Sequence, residues 1–235
     1  MGKDLSGLRR EQRLQTPRAL GSDASQTDNL TEPGLPAIPR RAAVVRLPDF
    51  IAIGPQRTGT TWVYRALVGH VGLPRKTKET DFFSEHYTKG MEWYLEFFRD
   101  CAPGLPMGEL SPNYFAAPLA CERVAFHVPE CRIICTLRDP VDRLYSFYRL
   151  MRHNGWTRAT MEEFAECDAF ATQTNRYAHH LGRWRGRFGA EHVLVALYDD
   201  LESAPRHFLD TICGFIGSRR SRLSTHRCSA SVSTA

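Results

Sequence analysis

The sequence predicts a single α/β domain: a central parallel sheet with helices on both faces. Two observations predict it. Short apolar runs at 49–54, 131–137 and 192–197 alternate with stretches of helical pattern. The first of these runs passes straight into GPQRTGTTW, Gly54 to Trp62, and then into an apolar helix. The chain has 235 residues, enough for one such domain with a full core. Its 42% hydrophobic and 24% charged content exclude a mostly disordered protein.

Taken in order, residues 1–47 are polar, rich in Arg, Ser, Pro and Gly, and without apolar periodicity. Such a segment buries too little surface to offset its ordering entropy, so a disordered tail is expected there. The domain is expected over 48–217. Its strands are predicted at 49–54, 106–110, 131–137 and 192–197. Its helices are predicted at 58–69, 90–100, 117–127, 140–153, 171–188 and 203–216. Asp139 can cap the helix at 140, and Pro140 fits its first turn. Residues 218–235, SRRSRLSTHRCSASVSTA, revert to a Ser/Arg-rich composition and are expected to be a second disordered tail.

No run reaches the roughly 18–20 apolar residues of a membrane span. The basic N-terminus has no continuous apolar core of the kind a secretory leader needs, so a cytoplasmic location is expected. MGKDLS fits a myristoylation pattern, but six loosely specified residues carry little weight. Lys and Arg number 31 against 26 Asp and Glu, a net charge of +5. That excess suits an anionic small ligand and is too small to argue for nucleic acid. The 7 cysteines are scattered without paired CxxC spacing and read as free thiols. His86, His179, His180 and His192 show no metal-ligand spacing, and no metal is expected.

The chemistry begins at Gly54. A strand, a glycine-containing loop and a helix N-terminus form an anion cradle, because backbone N–H groups converge there on the positive end of the helix dipole. Gly54 and Gly59 have the GxxxxG spacing of a nucleotide loop. Position 60 is Thr60, where a nucleotide triphosphatase carries Lys; the cation sits inside the loop at Arg57. The plainer alternative is a tight turn whose glycines only permit the backbone path.

GPQRTGTTW resembles the 5′-phosphosulfate loop of sulfotransferases that use 3′-phosphoadenosine 5′-phosphosulfate (PAPS), which reads PxK[ST]GTTW or close to it. Three further segments extend the resemblance to the heparan sulfate N- and 3-O-sulfotransferases and their bacterial relatives. They are KETDFF at 78–83, the Arg138-Asp139-Pro140 stretch running on through Arg143 and Ser146, and ELSPNYF at 109–115. Residues 175–217 add a looser match, including YAHHLGRW at 177–184 and DDLESAP at 199–205. In all, the likeness covers about 48–217.

The resemblance implies a P-loop-type fold and a sulfuryl donor, PAPS. It implies a hydroxyl- or amine-bearing acceptor, carbohydrate or small molecule. By the same likeness, Arg57, Thr58, Gly59, Thr60, Thr61 and Trp62 hold the 5′-phosphosulfate, and Arg138 with Ser146 holds the 3′-phosphate. Glu79 and Arg57 are catalytic: Glu79 takes the acceptor proton, as a positioned carboxylate can, and Arg57 stabilises developing charge. A structural role is implied for Arg143. Glu109 is open between orienting Arg57 or a substrate amine and serving as a buried structural carboxylate. Lys78 and Glu79 also read as a solvated ion pair beside an aromatic core.

Two departures are visible. Arg57 stands where the family carries Lys, with a larger planar head and a higher pKa. No basic loop of the kind that closes over the cofactor is recognisable in 218–235. Two other readings therefore stay open. A truncated, degenerate relative would bind nucleotide or a partner without turnover. A small-molecule kinase would require Mg²⁺ and ATP.

Overall fold

The computed structural model describes residues 46–218. Four strands form one sheet in the order β2-β1-β3-β4: β1 Phe50–Ala52, β2 Gly108–Leu110, β3 Arg132–Leu137 and β4 Val193–Leu197. All neighbours run parallel, with Phe50 opposite both Gly108 and Arg132, and Ile133 opposite Val193. From β1 the chain crosses to β2 on one side and then to β3 on the other. Open α/β sheets bind ligands at such a reversal, beyond the carboxyl ends of the strands.

Successive strand residues point to opposite faces, and both faces here are covered. Ile51, Ile53, Ile133, Cys135 and Val193 pack into a core with Val124 of α3 (Ala120–His127), Trp184 of α7 (Tyr177–Phe188) and the aromatic stretch 82–98. Phe50, Ala52, Leu110, Ile134 and Ala196 pack on the other face. There they meet Val63 and Leu67 of α1 (Thr60–Leu67) and Phe208, Leu209 and Ile212 of α9 (Pro205–Ile216). Burial on both faces explains why the strands read as continuous apolar runs instead of alternating ones. The expected aromatic cluster is core: Phe82, Phe83 and Tyr94 are fully buried, and Trp93 and Phe97 pack against them.

The parallel sheet and the places of its four strands agree with the sequence-based expectation, but several helices differ from it. The expected helix at 58–69 starts only at Thr60, because Gly59 at φ 90 is still in the loop. The one expected at 90–100 is α2 (Gly90–Leu95) continued by a 3₁₀ turn, and it follows a π turn over Phe82–His86. The long helix expected at 171–188 is two, α6 (Ala169–Thr174) and α7. Asn175 breaks it, accepting from Nε of the buried Arg143 at 2.5 Å and donating to the Pro140 carbonyl at 3.0 Å. The expected helix at 203–216 is α9 alone, with α8 (Tyr198–Ser203) separate before it. Pro205 starts α9 and disfavours helical backbone at Ala204.

Besides α8, a second helix was not expected: α5, Met161–Cys167. Its start was legible, since Thr160 and Glu163 form a reciprocal capping box. By contrast α4, Pro140–His153, begins as anticipated, with Asp139 accepting from the Val141 and Asp142 amides at 2.9 and 3.0 Å. The two tails expected at 1–47 and 218–235 fall almost wholly outside the described residues, as does Cys228. The six cysteines within them are free.

Candidate active site

The loop after β1 is shaped by two glycines. A Cβ at Gly54 would lie 2.1 Å from Thr136 Oγ1 and 2.5 Å from the Thr136 backbone, so only glycine lets the loop leave β1 against β3. Gly59 takes φ 90 to enter α1, and a Cβ there would also meet Leu201 at 2.8 Å. Arg57 is held at φ 73, an uncommon conformation for a residue with a side chain.

The loop residues divide by what their side chains do. Thr58 is fully buried; its hydroxyl donates to the Pro55 carbonyl at 2.6 Å and shares a 2.7 Å hydrogen bond with Thr136 Oγ1. It braces the loop, leaving only its backbone N–H for a ligand. Thr60 is buried at the first turn of α1, and Trp62 packs edge-on against Phe208 in the core. Thr61 is exposed, and its Oγ1 accepts from Lys78 Nζ at 3.2 Å.

Arg57 turns toward α4. Its Nε donates to Ser146 Oγ at 2.9 Å, across 89 residues of sequence. Partial desolvation of its head group, and next the neighbouring Arg138 cation, hold the Arg57 pKa below its ordinary value, with Arg149 adding to the effect. Arg138 itself lies with its guanidinium carbon 4.3 Å from the Tyr198 ring centre, and its Nε is buried without a hydrogen-bond partner. Among the described residues, no carboxylate forms an ion pair with Arg57, Arg138 or Arg149. Like charges gathered beside a helix N-terminus, with a buried N–H left over, are matched to an anion.

A second group stands on the other side of the loop. Lys78 Nζ bonds Glu79 Oε1 at 2.7 Å as well as Thr61, so one cation links the candidate base to the loop. Behind it lies Glu109, wholly buried on β2. Its carboxylate accepts from Thr80 at 2.5 Å, from Tyr94 and Ser111 at 2.8 Å and from Tyr114 at 3.1 Å. Burial pushes its pKa up, and these four hydroxyls counter that. Glu109 is the buried structural carboxylate of the two roles the sequence left open, since its bonds go to hydroxyls and none to Arg57. Through Thr80 it fixes the backbone next to Glu79.

Arg143 is fully buried and serves Asn175 and the Ala171 carbonyl, the structural role expected of it. The Arg183 and Arg187 side chains are likewise occupied, Arg183 with the Phe115 and Ala117 carbonyls and Arg187 with Glu122. The expected residues thus fall into two groups at the loop, Arg57 with Arg138 and Ser146, and Glu79 with Thr61. Lys78 joins the second group, and its place was missed as a site because Lys beside Glu in sequence reads as a surface pair.

The family model of the sulfotransferase domain matches residues 47–233. The chain belongs to the sulfotransferase family. The match runs on beyond residue 217, where the motif resemblance ended. The bifunctional heparan sulfate N-deacetylase/N-sulfotransferase 4 of Mus musculus is 34% identical over 194 residues, covering 73% of this chain and 22% of that protein. The chain therefore spans 22% of the length of the curated relatives it matches. Among solved structures, a sulfotransferase from Alicyclobacillus acidocaldarius shares the fold, with a TM-score of 0.67 and 23% identity over 74% of this chain and 83% of that one. Mouse sulfotransferase SULT7A1, solved with PAP, shares it at a TM-score of 0.52 and 17% identity, over 79% and 65% of the two chains.

Proposed function

We propose that this sulfotransferase-family chain moves a sulfuryl group from PAPS to a hydroxyl or amine of an acceptor, with a carbohydrate as the class favoured by the names of its relatives. The observation that carries this reading is the Arg57, Arg138 and Ser146 group beside the α1 N-terminus. It offers two cations without a carboxylate, a hydroxyl and an orphaned guanidinium N–H. Such a set fits a nucleotide carrying a phosphate at each end of its ribose. The donor supplies an activated sulfuryl group with a phosphate as leaving group.

The residues of the chain divide the remaining work. Arg138 and Ser146 hold the 3′-phosphate, while the α1 amides and Arg57 hold the 5′ side. Glu79 accepts the proton that an acceptor hydroxyl or amine gives up as it attacks. Lys78 keeps positive charge between Thr61 and Glu79, where negative charge moves as the proton leaves. Thr58 and Gly59 contribute through the backbone path they enforce.

The test is sulfuryl transfer from labelled donor to heparan sulfate bearing free amines and hydroxyls. Glu79→Gln is expected to lose about 10²- to 10⁴-fold in kcat while the thermal shift given by adenosine 3′,5′-bisphosphate stays unchanged. Full turnover by that variant would remove Glu79 from the mechanism.

A further inference from the structure

Glu79 is held loosely by its own side chain. Its carboxylate is partly exposed, and the ion pair described for it is with the adjacent Lys78. Pairs open to solvent hold little. Its backbone, by contrast, is fastened on both sides. The Thr77 hydroxyl donates to the Glu79 carbonyl at 2.8 Å and accepts from the Glu79 N–H at 3.3 Å. On the far side Thr80 is buried, and its hydroxyl donates to Glu109 Oε2 at 2.5 Å.

Glu109 is the anchor of this arrangement. It is fully buried, and none of the described ion pairs includes it. An ionised carboxylate only accepts hydrogen bonds. It therefore draws the single hydroxyl proton of Thr80 to Oε2 and that of Tyr114 to Oε1, and leaves the lone pairs of both hydroxyls facing outward. Those lone pairs accept the N–H groups of Phe82 and Phe83, at 3.3 and 3.1 Å. Phe82 and Phe83 open the π turn that follows Glu79. One buried charge thus orders Thr80 and the start of that turn together. Burying it costs stability that an apolar side chain in the same place would not.

Resting on the function proposed above, we infer that Thr77 and Thr80, the latter anchored on Glu109, are positioning residues that aim the Glu79 carboxylate at the acceptor. Both act through Glu79 alone. A base must lie within hydrogen-bond reach of the proton it takes, and misplacing a catalytic group by about 1 Å costs on the order of 100-fold. With the backbone pinned on either side, the side-chain torsions of Glu79 are what remains free. Lys78 then limits those from the loop side.

The experiment measures sulfuryl transfer by the full chain from labelled donor to heparan sulfate bearing free amines and hydroxyls. Thr80→Val keeps the shape and removes the hydroxyl. It is expected to lose about 10- to 100-fold in kcat, with KM and the affinity for adenosine 3′,5′-bisphosphate unchanged. Thr80→Ser is expected to restore kcat. Placed on Glu79→Gln, Thr80→Val is expected to change kcat by less than about twofold, since a residue acting through Glu79 has nothing left to act on. A merely structural role would multiply the two losses instead. Thr77→Val, at a partly exposed position, is expected to behave as Thr80→Val does and carries the test where Thr80→Val fails to fold. Full kcat in the threonine variants that bind the bisphosphate, or losses that multiply with that of Glu79→Gln, overturn the positioning role and leave the reading of the site standing. Absence of turnover in the wild type, or full turnover by Glu79→Gln, overturns the reading of Glu79 on which that role rests.

Discussion

Glu79 and Asp81 lie two residues apart on one segment and are treated very differently by their surroundings. Lys78 offsets the first, while carboxylates crowd the second. The contrast has a measurable consequence for stability. In the unfolded chain Asp81 ionises near the ordinary 3.8, but in the fold its pKa is raised to about 6. Between those values the folded protein holds a proton that the unfolded chain has released, so stability falls as pH rises through that window. Asp81→Asn keeps the left-handed backbone accessible and removes the charge. It is expected to be more stable than the wild type above pH 6 by about 1–2 kcal/mol, or about 3–6 °C in Tm. At pH 4 the two should melt together. A Tm difference independent of pH would contradict the burial of an ionised Asp81. The sequence showed Glu79, Arg57, Arg138 and Ser146 as candidates because each sits in a recognisable pattern. Lys78 stayed hidden because its distinction is spatial: it reaches across 17 residues to Thr61.

At the level of elements, strands and cap signals were readable wherever local chemistry decides. Asp139 and Pro140 announced α4, and Thr160 with Glu163 could have announced α5. The break between α6 and α7 could not be read locally, because it exists to serve Arg143 on another helix. That dependence gives Asn175 a predictable weight. Asn175→Ala would leave the Arg143 Nε–H without its acceptor in a buried place and is expected to destabilise the fold by about 1–3 kcal/mol. Urea denaturation would show this as a lower midpoint with an unchanged slope. A midpoint within error of the wild type would mean that Arg143 finds another acceptor and that the helix break has a different cause.

For the molecule as a whole, the legible part was the sheet. Buried parallel strands make uninterrupted apolar runs, and the loop after the first of them carries its glycines at fixed spacing. What composition could not give was the sorting of cations. The basic excess is only +5, yet Arg57 and Arg138 are brought together without a carboxylate, while Arg143, Arg183 and Arg187 are spent on structure. The central claim is that this gathered charge binds a nucleotide with phosphates at both the 5′ and 3′ positions. Its most direct test is calorimetric titration of the chain with adenosine 3′,5′-bisphosphate and with AMP, repeated on Arg138→Ala. The bisphosphate is expected to bind the wild type about 10- to 100-fold more tightly than AMP, and Arg138→Ala to bind the two alike. Equal affinity of the wild type for the two nucleotides, or an Arg138→Ala variant that still prefers the bisphosphate, would contradict it.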